Sequence, residues 1–379
     1  MASDGPGGTG LLPGPAAEEA FLDEVVSAAE AVLAGIRTKQ QASEPVDQPW
    51  PREAWNTLRE SGWLAAGIAA DDGGLGLGLE GITRLAHLAG RFLVSAPVVD
   101  QSLAVAVLHR FAVSTATGTD PDLPAELVSG ELSLAVAWDA TGPAVRAAHS
   151  AGPGGRSYLL RNASADAILV PSGRDAEHLA RIYRRGDPGV VVEPLGGFDP
   201  GAGLGVLHLA GGVGTPLYEA AWPRAVPAPA LRGMARLVLA SELCGIASAA
   251  IDMAVQYATV RTQFDQQIGS FQAVKHMLVG SWTKARYLQN MCTSAARLAD
   301  SDIAAAELQG AAAKLYGSRT ARCATETALQ VHGGIGFTTE CAVQLYLKRA
   351  LSLQGLLGDD DDLAEMIGRQ TLAGTGLRS

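Results

Sequence analysis

Residues 230–379 carry an uninterrupted helical pattern of apolar positions. From Leu231 through Met234 and Val238 to Val255, apolar residues recur at spacings of three and four, which places them along one face of a helix. Proline removes a backbone donor and clashes inside helices, and none occurs after Pro229. The pattern therefore predicts a domain of long helices, the first covering about residues 231–260.

Earlier residues follow two other patterns. Between 126 and 226, short apolar runs are separated by proline and glycine, which is typical of strands and turns; the runs are 167–170, 190–192 and 205–209. Upstream, helical spacing covers 18–36, 52–61, 80–93 and 101–111. The chain is thus predicted to be a disordered leader (1–17), an N-terminal helical domain (18–125), a middle β domain (126–226) and a C-terminal helical domain (227–379).

Composition excludes several classes of protein. The net charge is -10, and Lys and Arg do not gather into a stripe, so a nucleic-acid partner is not expected. Charged residues interrupt the apolar run of 231–255, so no membrane span is expected. The four cysteines are far apart and form no metal-ligand pattern, which favours small buried side chains in the cytoplasm.

Two short motifs resemble ligand sites but favour structural roles. Residues 76–81 match G-x-G-x-x-G, yet a Gly- and Asp-rich loop precedes them where a dinucleotide fold needs a buried strand. Residues 359–362 are four consecutive aspartates, which cannot all converge on one cation and which precede a helical segment. We expect the aspartates to cap that helix, and no metal site is predicted.

Two other segments combine residue types suited to a nucleotide. The first contains Arg261, Phe264 and Gln272 at a break between helices. An arginine can fork to a diphosphate, a phenylalanine can stack on a flat ring, and a glutamine can pair with a base or ribose edge. The second is QVHGGIGF around His332, whose glycines permit either close approach of a ligand or simply a tight turn between helices.

Together these segments, RTQFDQQIGSFQAVKH and ALQVHGGIGFTTECAVQLYLKRA, resemble the C-terminal hallmarks of the acyl-CoA dehydrogenase family of flavoproteins. The N-terminal WNTLRESGW and GGLGL segments resemble the first domain of that family. The resemblance implies an α+β architecture, in which an N-terminal helical domain, a middle β-barrel domain and a C-terminal four-helix bundle build a tetramer. It also implies FAD bound at subunit interfaces, acyl-CoA as substrate, and an electron-transfer flavoprotein or similar acceptor.

The resemblance assigns one half of the FAD site to this chain. Arg261 and Phe264 are expected near the diphosphate and adenine, Gln272 at the adenosine edge, and Gln330, Gly333 and Gly334 at the diphosphate of a neighbour's FAD. The half that holds the flavin ring departs from the family. Residues 134–143 replace its Thr-Glu-Pro-x-x-Gly-Ser-Asp-like stretch, and residues 158–163 replace its Trp-Ile-Thr-like element.

The catalytic base is also missing at both positions that the family uses. Alignment on the following residues places Ala235 at one and Gly358 at the other, and neither can take a proton. No catalytic residue is therefore assigned. Asp359, one position away, is the acid that could replace the base, whereas Glu242 lies about 10 Å along the helix from Ala235 and favours a structural or solvent-linked role.

Three hypotheses follow. The first is a degenerate subunit that completes the FAD site of a catalytic sister chain. The chain resembles the non-catalytic subunit of α2β2 acyl-CoA dehydrogenases that act on steroid side chains, which implies a heterotetramer and steroid or other bulky acyl-CoA substrates. The second is a self-contained dehydrogenase with Asp359 as base. The third is a scaffold that binds acyl-CoA or a protein partner without flavin.

Overall fold

The computed structural model describes residues 15–41, 52–111, 117–118, 122–139, 156–171, 179–210, 216–221 and 228–374. An N-terminal group of five helices comes first: α1 (Pro15–Gln41), α2 (Arg52–Glu60), α3 (Gly78–Arg91), α4 (Val98–Phe111) and α5 (Leu123–Ser129). The C-terminal part is a helical domain of α6 (Ala228–Val260), α7 (Gln272–Ser301), α8 (Ala306–His332), α9 (Val343–Gln354) and α10 (Asp360–Gly374).

Between the helical parts lies a mixed eight-stranded sheet. Its strands are β1 (Thr117–Gly118), β2 (Leu134–Asp139), β3 (Arg156–Leu160), β4 (Ala167–Pro171), β5 (Leu179–Arg184), β6 (Val190–Pro194), β7 (Gly205–Leu209) and β8 (Tyr218–Ala221). The order across the sheet is β1-β8-β5-β4-β2-β3-β7-β6. Strands β2 and β4 run parallel, with Ala135 opposite Ile168, while the other pairs run antiparallel. Alanine, valine and leucine side chains bury one face of the sheet in a core of its own.

Close contact between helix backbones organises the C-terminal domain. Where α6 crosses α8, a Cβ added to Gly233 meets the Ala306 carbonyl oxygen at 2.2 Å, and one added to Gly310 meets the Gly233 carbonyl oxygen at 2.0 Å. At the crossing of α3 and α6, a Cβ on Gly245 meets the His87 carbonyl oxygen at 1.8 Å. Glycine and alanine therefore bring these helices together at backbone contact, which explains a core with few aromatic residues.

Helix α6 is the central helix of this core. The segment Pro229–Val260 is long and apolar enough to cross a membrane by length and composition alone, but 78% of its most apolar window is buried inside the protein. A helix that packs on three others within a bundle meets the same criteria. Its apolar character is explained by contacts with α3, α7 and α8.

The predicted helices at 18–36, 52–61, 80–93 and 101–111 correspond to α1 to α4, and the predicted strand at 205–209 matches β7. The fold class is confirmed: helices, then a sheet, then a helical domain. The predicted boundary at 125/126 falls inside α5 and leaves β1 on the helical side. Residues 1–14 of the predicted leader lie outside the described residues, and residues 15–17 are the first of α1.

We predict that Gly310→Ala destabilises the protein by about 1–3 kcal/mol, because the added methyl group must push apart two helix backbones. Gly280→Ala is the matched control, since this glycine lies in α7 with nothing within 4 Å of an added Cβ. Alanine should stabilise that helix by up to about 1 kcal/mol. Urea unfolding of both variants tests this, and equal free energies of unfolding contradict it.

Candidate functional site

A tight hairpin after α6 presents Phe264 to solvent. Strands β9 (Thr262–Gln263) and β10 (Gln266–Gln267) pair directly, so Phe264 and Asp265 form a two-residue turn. Both have positive φ, 52° and 58°, as the mirror-image hairpin turn requires. A bulky side chain is uncommon in this conformation and costs energy there. Phe264 is nevertheless 87% exposed and touches Phe271 only edge to face, at 6.4 Å between ring centroids.

The glycine segment after α8 is held beside this hairpin by a ring stack. His332 stacks on Tyr257 with centroids 4.4 Å apart and planes 22° apart. Its Nδ1 lies 2.7 Å from the Ala328 carbonyl oxygen, the distance of a hydrogen bond in which the ring donates. Gly333 ends the helix with φ 63°, and its N–H bonds to the carbonyl oxygens of Leu329 and Gln330. His332 thus has a structural role that joins the ends of α6 and α8.

The six predicted nucleotide-binding residues are all exposed. Arg261 follows α6, Phe264 lies in the hairpin, Gln272 begins α7, and Gln330, Gly333 and Gly334 lie at the end of α8. Arg261 forms no ion pair with another described residue, so its guanidinium is available. We call this set the nucleotide surface. It faces away from the protein's own core, so a ligand held here must be shared with another chain or lie on the surface.

A separate inner pocket lies where α4, the sheet and α6 meet. It has a volume of about 50 Å³, room for a few water molecules. Both segments that depart from the family pattern, 134–143 and 158–163, line this pocket. Val136 and Trp138 come from β2, and Arg161 follows β3. Ala235 lies on the α6 wall, and Leu357 precedes Gly358 on another. The remaining residues of the 134–143 stretch, 140–143, lie outside the described residues.

A buried ion pair crosses the inner pocket. Arg161 Nη1 donates to Glu242 Oε2 at 2.6 Å, and the Glu242 side chain is fully buried. Arg161 Nε lies 3.5 Å from Asp100 Oδ2. Burial lowers the pKa of Arg161, but the charges of Asp100 and Glu242 outweigh it and raise that pKa overall. Burial raises the pKa of Asp100, opposed by Arg161 and reinforced by Glu242. The ion pair thereby connects the end of β3 to α6.

No acid occupies either predicted base position. Ala235 lines the pocket with a methyl group, and Gly358 has φ 110°, a conformation that strains any residue with a side chain. Asp359 accepts hydrogen bonds through Oδ1 from the N–H groups of Asp361 and Asp362, at 3.0 and 2.8 Å. The prediction that the aspartate run caps a helix is confirmed.

In the G-x-G-x-x-G segment, a carboxylate of the chain itself lies at the helix N-terminus. Gly78 begins α3, and the carboxylate of Asp300 accepts hydrogen bonds from the Leu79 N–H at 3.0 Å and from the Glu80 N–H at 3.4 Å. That carboxylate takes the place where a phosphate binds at a helix N-terminus. Among the described residues there is also no cluster of three or more His, Cys, Asp or Glu that could hold a metal ion.

The geometry can be compared with known proteins. A family model described as acyl-CoA dehydrogenase, C-terminal domain, matches residues 231–372. Acyl-CoA dehydrogenase FadE27 of Mycobacterium tuberculosis is 30% identical over 358 residues, covering 87% of this chain and 91% of FadE27. The chain belongs to the acyl-CoA dehydrogenase family.

Two further relatives extend the comparison. Acyl-CoA dehydrogenase FadE34 of Mycobacterium tuberculosis is 32% identical over 349 residues, which are 92% of this chain but 46% of FadE34, so the chain spans about half of that protein. A chain from the crystal structure of the ChsE4-ChsE5 complex of Mycobacterium tuberculosis superposes with a TM-score of 0.78 and 26% identity, covering 93% of this chain and 97% of that one.

FAD is the cofactor of the acyl-CoA dehydrogenase family, and the two regions of this chain fit it differently. The nucleotide surface offers the guanidinium of Arg261, exposed glutamine amides and the ring of Phe264, which fit a diphosphate and an adenine. The inner pocket, as the described residues bound it, is too small for the flavin ring. A pocket for a molecule of that size usually has several hundred Å³, whereas here Arg161 and Glu242 cross a space of about 50 Å³.

Sequence reasoning missed the ion pair that crosses the pocket of this acyl-CoA dehydrogenase chain. The sequence favours a structural or solvent-linked role for Glu242 but names no partner for it, and Arg161 enters only as part of a substituted segment. They are 81 residues apart and come from different domains. One signal was available: a glutamate in an otherwise apolar stretch of helix needs a buried partner. Nothing local in the sequence indicates that Arg161 is that partner.

We predict that Arg161→Met destabilises the chain by about 3–5 kcal/mol, because it leaves Glu242 buried without its counter-ion. The double variant Arg161→Met/Glu242→Met should recover part of that loss, since apolar side chains can replace the pair, although Asp100 still lacks Arg161. Urea unfolding gives the coupling energy. The control is Arg322→Met, whose pair with Glu326 is exposed and should contribute at most about 1 kcal/mol. Additive effects of the two pocket substitutions contradict the assignment.

Proposed function

We propose that this chain is a non-catalytic subunit of a heteromeric acyl-CoA dehydrogenase. It contributes the nucleotide surface to the FAD of a catalytic partner chain and carries no working flavin-ring site of its own. One observation supports the proposal: the six predicted nucleotide-binding residues are exposed, while the buried Arg161–Glu242 ion pair lies in the lining of a small inner pocket.

The roles proposed for this chain's residues come from the family resemblance and agree with their exposure. Arg261 would fork to the diphosphate, and the exposed Gly333 and Gly334 would let the ligand approach the backbone. Phe264, exposed on a turn with positive φ, would stack against the adenine. Bound FAD supplies hydride acceptance during α,β-dehydrogenation of an acyl thioester. The acid that removes the α proton belongs to the partner, because this chain has Ala235 and Gly358 at the two base positions.

Likeness to a two-component protein supports a heteromer. One similar structure is a complex of two named chains, ChsE4 and ChsE5. We infer a comparable pairing of this chain with a sister acyl-CoA dehydrogenase chain, as an α2β2 heterotetramer. Such a tetramer has one complete FAD site for each of its two catalytic chains, which corresponds to one flavin per two chains.

The hypothesis of a self-contained dehydrogenase with Asp359 as base is not favoured. The Oδ1 atom of Asp359 already accepts two backbone hydrogen bonds, which hold the carboxylate at the start of α10. A base also needs access to the α carbon of a bound thioester, and the pocket between Ala235 and Leu357 is too small to admit one.

The substrate class inside the complex is an acyl-CoA thioester. We propose a steroid or other bulky acyl group, because the sequence resembles α2β2 acyl-CoA dehydrogenases that act on steroid side chains. Space for a bulky group does not come from this chain's inner pocket, because its volume is about 50 Å³. The size of the acyl group is therefore set by the partner chain.

We predict that Arg261→Ala lowers the flavin content of the co-purified complex by about tenfold at limiting FAD, since a charge-assisted bond to a diphosphate contributes about 1.5–3 kcal/mol. The unfolding free energy of the isolated chain should not change, because the side chain is exposed. Flavin absorbance per complex measures the effect. Arg322→Ala, an exposed arginine on α8, is the control and should retain full flavin.

Unchanged flavin in the Arg261→Ala complex contradicts the proposed FAD contact and favours a scaffold that binds acyl-CoA or a protein without flavin. A fall in flavin with the Arg322→Ala control as well indicates general loss of assembly. Size-exclusion chromatography of each complex separates these outcomes.

We also predict that the chain purified alone binds no flavin, whereas the complex with its sister chain carries one flavin per two chains. Absorbance at the flavin band against protein concentration gives the ratio. A yellow isolated chain that reduces an electron acceptor with an acyl-CoA contradicts the proposal and favours a self-contained enzyme.

A further inference from the structure

A second cavity, the polar cleft, lies on another side of the molecule. It has a volume of about 250 Å³ and is bounded by α1, α3 and α7, with Ser241 of α6 also lining it. None of its lining residues belongs to the nucleotide surface or to the inner pocket. The cleft opens to solvent, since Glu19, Arg286 and Arg297 on its walls are exposed.

The helices that bound the cleft face it with polar side chains. On α3 these are Glu80, Thr83, Arg84 and His87, spaced so that they share one face of the helix. On α7 they are Arg286, Gln289, Asn290, Thr293 and Arg297. Two helices that meet normally bury apolar stripes against each other. Here the two helices pack through their apolar faces and also turn these polar side chains toward an open cleft beside that contact.

Most charges on the walls are already paired. Arg84 binds Asp23. Arg297 forks to both carboxylate oxygens of Glu80, at 2.6 and 2.8 Å, and lies 3.7 Å from Glu19. The charge of each of these two arginines is therefore neutralised by a carboxylate on a neighbouring helix.

Arg286 is different, because among the described residues it pairs with no carboxylate. Its Nη1 donates to the neutral amide oxygen of Gln289 at 2.6 Å, and its guanidinium lies 5.9 Å from the centre of the Trp282 ring. These contacts orient the guanidinium without neutralising its charge. The remaining N–H groups of the fork are free to bind an oxyanion.

His87 provides an independent observation. Its Nδ1 is buried and has no hydrogen-bond partner among the described residues. Burial, with the nearby charges of Arg91, Arg286 and Arg84, lowers the pKa of His87 to about 4. The imidazole is therefore neutral at pH 7. A buried ring nitrogen without a partner is uncommon and calls for a ligand or an ordered water molecule.

We infer that the polar cleft binds a small oxyanion, a phosphate or carboxylate group, through Arg286, with the amide of Asn290 and the hydroxyl of Thr293 on the same face of α7. The anion supplies the counter-charge that Arg286 lacks. The simplest alternative is a cleft that holds only water. This site is independent of the proposed role in FAD binding.

The test is titration calorimetry of the full-length chain in a phosphate-free buffer, with inorganic phosphate and acetate as separate probes. Saturable binding of either probe is expected. Tighter binding of phosphate identifies a phosphate group as the natural ligand, and tighter binding of acetate identifies a carboxylate. Arg286→Gln should weaken binding at least about tenfold, because it removes a charge-assisted contact. Arg322→Gln, an exposed arginine outside the cleft, should bind like the wild type.

An NMR measurement tests whether the anion binds next to His87. Addition of the anion should shift the imidazole resonances of His87, assigned in the nitrogen-15 NMR spectrum with a His87→Asn variant. Urea unfolding of Arg286→Gln controls for folding and should match the wild type, since Arg286 is exposed. The inference is overturned if neither probe saturates at tens of millimolar, if Arg286→Gln binds like the wild type, or if the His87 resonances do not move.

Discussion

One buried ion pair connects the middle β domain to the C-terminal helical domain. Arg161 and Glu242 are almost wholly removed from water, and two charges so placed are tolerated only in contact with each other. Their 2.6 Å contact therefore fixes the turn after β3 against the middle of α6. The space between sheet and bundle is consequently narrow and charged. Ala235 also lines this space, and its side chain is only a methyl group.

The nucleotide surface, in contrast to the inner pocket, is exposed to solvent. Phe264 is exposed on a turn that costs conformational energy, and Arg261 has no ionic partner among the described residues. Neither arrangement helps this chain fold by itself. Both become favourable when another molecule covers them, and the stack of His332 on Tyr257 keeps them close to the glycine segment. Under the proposed function, these exposed residues are covered by another chain and its nucleotide within an assembly.

Much of the fold was predictable because it rests on local patterns. The spacing of apolar residues from Leu231 onward predicts α6, and the aspartate run predicts the cap that Asp359 forms. The positions of the six nucleotide-surface residues also follow from motifs, although their binding roles remain predictions. Long-range partners were not predictable. Pairing of Glu242 with Arg161, or of Asp300 with the start of α3, joins residues distant in sequence, and no local spacing records such contacts. The polar cleft likewise exists only once α1, α3 and α7 are assembled.

The most direct measurement is a high-resolution structure of this chain in complex with its sister chain and FAD. The account predicts an adenosine diphosphate half lying on Arg261, Gln330 and Gly333 of this chain, with the flavin ring held by the partner. The Arg161–Glu242 contact should persist in the same structure. A flavin ring seated between Trp138 and Ala235 of this chain, with that ion pair broken, contradicts the account.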